Sequence, residues 1–217
     1  TMSGTNALLN IFASLVNPGD NVLLPEPYFP LYGPDVGLWG GQPKFYECLF
    51  ENEFVPTIEH LESLVDENTV AILYNFPSNP TGATITVEQR DELLAFAQRH
   101  DLWIITDEVY DRIVFDSEHV SFVGCDDDRV ILINSFSKTY AMTGWRIGYI
   151  LSANKEAMAQ MIKVQYYITA CSNDAMQYAV LTAINEADDY PDEMCAEFKA
   201  RRDLICSRLN AMPGVQC

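Results

Sequence analysis

A chain of 217 residues with 48% hydrophobic and 12% aromatic content has enough apolar side chain to bury one large core or two small ones. Its 13 basic and 31 acidic residues leave a formal charge of −18, which argues against nucleic acid as a partner, because phosphates need a basic surface. The longest apolar runs, such as residues 70–74, are far shorter than the roughly 20 residues a membrane-crossing helix requires.

In chain order, Ser3-Gly4-Thr5-Asn6 opens a helical pattern over 6–16, and a strand-length apolar run follows at 22–24. The pattern then predicts a helix over 58–65, a strand over 70–74 and a helix over 87–99, with Thr86 and Gln89 at capping-box spacing. Strands are expected at 102–106, 130–134 and 147–151, and a helix at 155–168. Most of these strand runs lack polar alternation, which implies burial on both faces and a mostly parallel sheet. Strands alternating with helices give an α/β fold in three layers, a central sheet between helices, with right-handed crossovers.

Beyond residue 155 the strand signals fade and helices dominate, ending in a long pattern over 191–211. Pro213-Gly214 breaks it, and Val215-Gln216-Cys217 reads as the start of a strand. The expected organisation is a ligand-binding large domain over 1–190, then a long helix over 191–217 leading into a second, truncated domain. The chain is thus expected to be an excerpt of a longer protein. No leader pattern opens it, and its six scattered cysteines form no CxxC pair, which fits reduced thiols and a cytoplasmic location.

The segment densest in chemistry runs from Ser135 to Tyr149, directly after the strand at 130–134. Lys138 stands there between Ser135, Ser137 and Thr139, and Arg146 follows eight positions later. The C-terminal edge of a buried strand is where α/β folds bind ligands, and a desolvated amine at such an edge can attack an aldehyde. Hydroxyls and a guanidinium nearby suit a phosphate dianion. Four smaller constellations accompany it. Gly4, Thr5 and Asn6 begin a helix, whose N-terminal N–H groups bind phosphate; a plain N-cap is the other reading. Asn79-Pro80-Thr81-Gly82 reads as a turn after the strand at 70–74. Asp107-Glu108-Val109-Tyr110 follows the strand at 102–106, where a buried acid needs a partner or serves as a cap. Glu26 to Tyr32 carries aromatic rings suited either to core packing or to a cofactor platform.

Taken together, these motifs resemble class I/II aminotransferases, the fold-type I enzymes that depend on pyridoxal 5'-phosphate. The motifs match from Ser3 to Tyr149, and the helical layout is similar as far as Gly214. The resemblance implies that Lys138 forms a Schiff base with the cofactor and that Asp107 holds the pyridine nitrogen protonated. It implies further that Asn79 and Tyr110 share the cofactor's phenolic oxygen and that Phe29, with Tyr28 as the near alternative, stacks on the ring. Gly4, Thr5, Asn6, Ser135, Ser137 and Arg146 would hold the phosphate. The implied reaction moves an amino group between an amino acid and a 2-oxo acid, in a homodimer.

The same fold and lysine also serve carbon–sulfur lyases, synthases and non-catalytic cofactor sensors, and the Thr143 to Tyr149 ending is nearer to aminotransferases than to lyases. The arginine with which the family grips a substrate carboxylate has no match here, and Arg201 and Arg202 are expected to be solvated on the long helix.

Overall fold

The computed structural model describes all 217 residues. Helix α1 (Gly4–Leu15) leads to strand β1 (Asn21–Glu26), α2 (Tyr32–Leu38) and β2 (Gln42–Glu47). After a 3-10 turn at Phe50–Asn52 come α3 (Ile58–Leu64), β3 (Thr69–Asn75), α4 (Val87–Arg99) and β4 (Trp103–Asp107). The chain continues through β5 (Val130–Ser135), the short helix α5 (Phe136–Thr139), a 3-10 turn at Thr143–Trp145 and β6 (Gly148–Ser152). Helices α6 (Lys155–Thr169), α7 (Asp174–Glu186) and α8 (Tyr190–Asn210) complete it.

The six strands form one sheet in the order β2-β1-β3-β4-β5-β6. The first five are parallel, and β6 pairs antiparallel with β5 along the edge. Alternate residues of β3 enter different cores: Ala71 and Leu73 join α1, α2 and α6, whereas Ile72 and Tyr74 join α3 and α4. Helices therefore cover both faces, which is why β3, β4 and β5 read as unbroken apolar runs. The capping box starts α4 as expected: Gln89 N–H donates to Thr86 Oγ1 at 3.2 Å, and Thr86 N–H donates to Gln89 Oε1 at 2.9 Å.

Strand β2 and helix α2 escape the sequence pattern. In β2 only Tyr46 is fully buried, fixed by its hydroxyl donating to Leu73 O at 2.6 Å, and Phe45 is its one other large apolar side chain, so this edge strand shows no apolar run of strand length. Helix α2 contains Gly33, Pro34 and Gly37, and the burial of Tyr32 and Val36, rather than helix propensity, secures it. Residues 215–217, where a strand start is expected, pair with no strand of this sheet. That segment has no regular structure, and Cys217 N–H returns to Asn210 Oδ1 at 2.7 Å.

The beginning of the chain is tied to β6, with the Thr1 amino group donating to Gly148 O at 2.9 Å and Gly148 N–H to Thr1 O at 3.1 Å. A Cβ at Gly148 would lie 2.6 Å from Ser3 C, 2.8 Å from Gly4 N and 2.9 Å from Asn134 O, all of them backbone atoms. Gly148→Ala must push α1 off the β5 end and should cost about 1–3 kcal/mol in denaturant unfolding. Gly144→Ala, with nothing within 4 Å of its new Cβ, is the neutral comparison.

Candidate functional site

Parallel strands β3, β4 and β5 end at the same edge of the sheet, with Asn75 opposite Asp107 and Asp107 opposite Ile133. Helix α1 starts over that edge. A Cβ on Gly4 would stand 3.4 Å from Val109 Cγ1 and 3.8 Å from Ser135 Cβ, so α1 approaches the β4 and β5 ends closely. Between these elements lies a cavity of about 200 Å³.

At one side of it Asp107 is only 5% exposed. Its Oδ2 accepts from the Tyr32 hydroxyl at 2.7 Å and its Oδ1 from Val109 N–H at 3.2 Å. Burial pushes the carboxyl up to about 6, against the pull of those two bonds, and the neighbouring Glu108 charge adds to the rise. Burial also drives the Tyr32 hydroxyl well above its ordinary value, with the Asp107 charge reinforcing it. Asn75 fastens the adjoining turn, donating to Asp107 O at 3.0 Å and accepting from Asn79 N–H at 2.8 Å.

The opposite side is suited to an anion. Ser135 and Ser137 are buried there, and the first turn of α1 presents N–H groups that have no acceptor within the helix. Arg146 reaches the cavity from a left-handed backbone (φ 57°) and donates from Nη1 to Thr143 O at 2.6 Å. Lys138 projects between the two sides from α5, immediately after β5, with its Nζ 5.5 Å from the centroid of the Tyr110 ring.

Gly4, Thr5, Phe29, Asn79, Asp107, Tyr110, Ser135, Ser137, Lys138 and Arg146 all line this cavity. Asn6 does not. Its Oδ1 accepts from Met2 N–H at 3.0 Å and its amide turns along α1 to Asn10, because the second and third helical positions face different ways. Of the two aromatic candidates, Phe29 lines the cavity and meets Tyr32 edge-on at 5.7 Å, whereas Tyr28 stacks on Phe45 at 4.8 Å. Arg202 is not merely solvated: it stacks over Phe115 at 4.9 Å and pairs with Asp116 at 2.5 Å. Tyr32, Asn75 and Thr143 also line the cavity without having been anticipated. Tyr32 lay within the quoted aromatic segment, but its partner is 75 positions away, a separation that no local pattern reports.

A carboxyl raised from 3.8 to about 6 binds more protons folded than unfolded between those values, so it stabilises the fold below pH 4 and loses that contribution as pH rises through 6. Cofactor-free protein should therefore lose about 3 kcal/mol across this window relative to Asp107→Asn, as read by paired denaturant unfolding at pH 4 and pH 7.5.

The family model for aminotransferase class I and II matches residues 1–217. An aspartate aminotransferase of Thermotoga maritima is 37% identical over 98% of the chain and 56% of its own length. Aromatic-amino-acid aminotransferase 2 of Thermococcus litoralis is 39% identical over 96% and 55%, respectively. The crystal structure of an aromatic aminotransferase from Pyrococcus horikoshii superposes with a TM-score of 0.94 at 36% identity, covering 98% of this chain and 58% of that one. The chain thus spans a little over half the length of these relatives. Matched along its whole length in sequence and superposed nearly end to end in structure, the chain belongs to the class I and II aminotransferase family.

Proposed function

We propose that the whole protein is an aminotransferase that moves an amino group between an amino acid and a 2-oxo acid, with Lys138 as the amine that carries the cofactor. The single observation behind this reading is that Lys138 stands between a buried acid and an anion cradle around one cavity.

The family depends on pyridoxal phosphate, and the residues present fit it. A dry carboxylate suits a ring nitrogen that must stay protonated, while buried hydroxyls, a guanidinium and a helix N-terminus suit a phosphate. When bound, the group supplies an aldehyde that captures amines and a ring that withdraws electrons.

The chain's own residues do the rest. Asp107 holds a positive charge facing its carboxylate, and Tyr32 fixes the orientation of that carboxylate. Arg146, Ser135, Ser137 and the Gly4-Thr5 turn bind the dianion. Asn79 and Tyr110 supply polar donors beside Lys138, and Phe29 supplies an apolar face. The Lys138 amine takes the proton from the substrate's α-carbon and returns it on the far side of the transfer.

Relatives are named for aspartate and for aromatic amino acids, so those donors with 2-oxoglutarate are the first pairs to assay. A homodimer in the cytoplasm completes the proposal. The apolar side chains on α6 and α7, with Tyr167 76% and Tyr178 72% exposed, offer a face for such an assembly to cover. A division of the chain at residues 190 and 191 is supported by α8, where Pro191 alone is buried.

Lys138→Ala should remove the absorbance of cofactor bound at the lysine and lower transfer at least ~10³-fold; retained absorbance would refute the assignment. Release of ammonia or pyruvate by the wild type without any oxo-acid acceptor would instead make the protein a lyase. Tyr32→Phe deletes one hydrogen bond to a buried charge and should lower kcat about tenfold, while the apparent affinity for the amino donor changes little.

A further inference from the structure

Asp107 and Glu108 are consecutive acids that point to opposite faces of the sheet. Asp107 turns to the cavity beside Tyr32, whereas Glu108, 2% exposed, turns to the face that carries Phe122 and the α4 core. A buried carboxylate is costly unless every acceptor site is used. Here Oε1 accepts from the Thr106 hydroxyl at 2.9 Å and from Phe122 N–H at 3.0 Å, while Oε2 meets His119 Nε2 at 2.7 Å. No part of Glu108 lines the cavity.

These contacts close a loop. The chain leaves the sheet after Asp107 and comes back against its α4 side at Phe122, whose ring stacks on Tyr74 at 5.3 Å while Arg90 holds Ser121 O at 2.9 Å. The near end of the loop carries Tyr110 into the cavity and Asp111 onto β5, where it accepts from Asn134 Nδ2 at 2.9 Å. Its middle meets α8, through Arg112 with Asp192 at 3.0 Å and Arg202 over Phe115. One carboxylate thus ties the far end of the loop to the strand end from which Asp107 and Tyr110 project.

We propose that Glu108 is a positioning residue for the site, holding residues 110–122 so that Tyr110 and Asp107 keep their places beside Lys138; this rests on the aminotransferase reading above. Because the hold is made of hydrogen bonds, glutamine reproduces it. Its carbonyl accepts from Thr106 and Phe122, and its NH2 donates to a neutral His119 ring. Alanine removes all three contacts.

The test uses the whole protein loaded with pyridoxal phosphate and compares Glu108→Ala, Glu108→Gln and the wild type. The measurements are kcat and KM, the pH midpoint of the absorbance of cofactor bound at Lys138, and hydrogen–deuterium exchange over 110–122. Glu108→Ala should lower kcat by roughly 10–100-fold with KM within ~3-fold, displace the midpoint and speed exchange in the loop. Glu108→Gln should stay within ~3-fold of wild type in kcat, with an unchanged midpoint.

A Gln variant as impaired as Ala overturns the proposal, since charge rather than the hydrogen-bonded hold would then matter. Faster exchange in Glu108→Ala with kcat and midpoint unmoved overturns it as well, leaving a structural role only. A wild type that binds cofactor but transfers no amino group sinks the aminotransferase reading, and the midpoint and exchange still decide the role of Glu108. If Glu108→Ala does not fold, His119→Ala removes one of the three contacts and must show the same signature at smaller amplitude; wild-type behaviour there overturns the proposal.

Discussion

A carboxylate that is 5% exposed cannot hold its charge on water, and at the end of β4 the fold leaves Asp107 in that position. Only Tyr32 and the Val109 N–H satisfy its oxygens from within the chain, and burial still raises its proton affinity. Such a group is completed by a cation facing it. The surrounding structure holds Asp107 in place: α2 delivers the Tyr32 hydroxyl, Asn75 pins the backbone of Asp107, and α1 crosses close above.

The alternation of an extended chain explains how two adjacent acids come to have separate settings. Thr106 in β4 and Glu108 just past its end share one face, and Asp107 takes the other, so one acid turns to the cavity while the next is met by a hydroxyl, a backbone N–H and an imidazole. Parallel pairing does the gathering. Because β3, β4 and β5 run the same way, their C-terminal ends coincide, and residues as far apart in sequence as Asn75 and Ile133 meet at one edge through Asp107. The anion cradle repeats this logic with α1, whose N-terminus lands where β5 ends.

The parts of the fold that could be read from the chain are those where local pattern and burial agree. Strands β3, β4 and β5 are covered on both faces and so appear as apolar runs, and Thr86 with Gln89 announces α4 through a contact three residues long. Strand β2 and helix α2 were hidden because Tyr46 and Tyr32 owe their burial to residues distant in sequence, Leu73 and Asp107. Asn6, expected at the phosphate end, keeps its side chain out of the cavity, since a helix start shows which N–H groups are free, not which way each side chain leaves the axis. The sequence gives no sign of the contacts of Arg202, because its partners Phe115 and Asp116 lie on a loop with no periodic signal of its own.

Residue types and short spacings sufficed for the α/β class, five of the six strands, the lysine segment after β5 and the acid at the end of β4, since each rests on interactions within a few residues. Which strands are neighbours, which of two aromatic rings faces the cavity, that a tyrosine hydroxyl reaches Asp107, and that Glu108 closes the loop behind Tyr110 were decided only by the folded chain. Those contacts join residues with no fixed separation in sequence, and the geometry that selects them exists only once both faces of the sheet are packed.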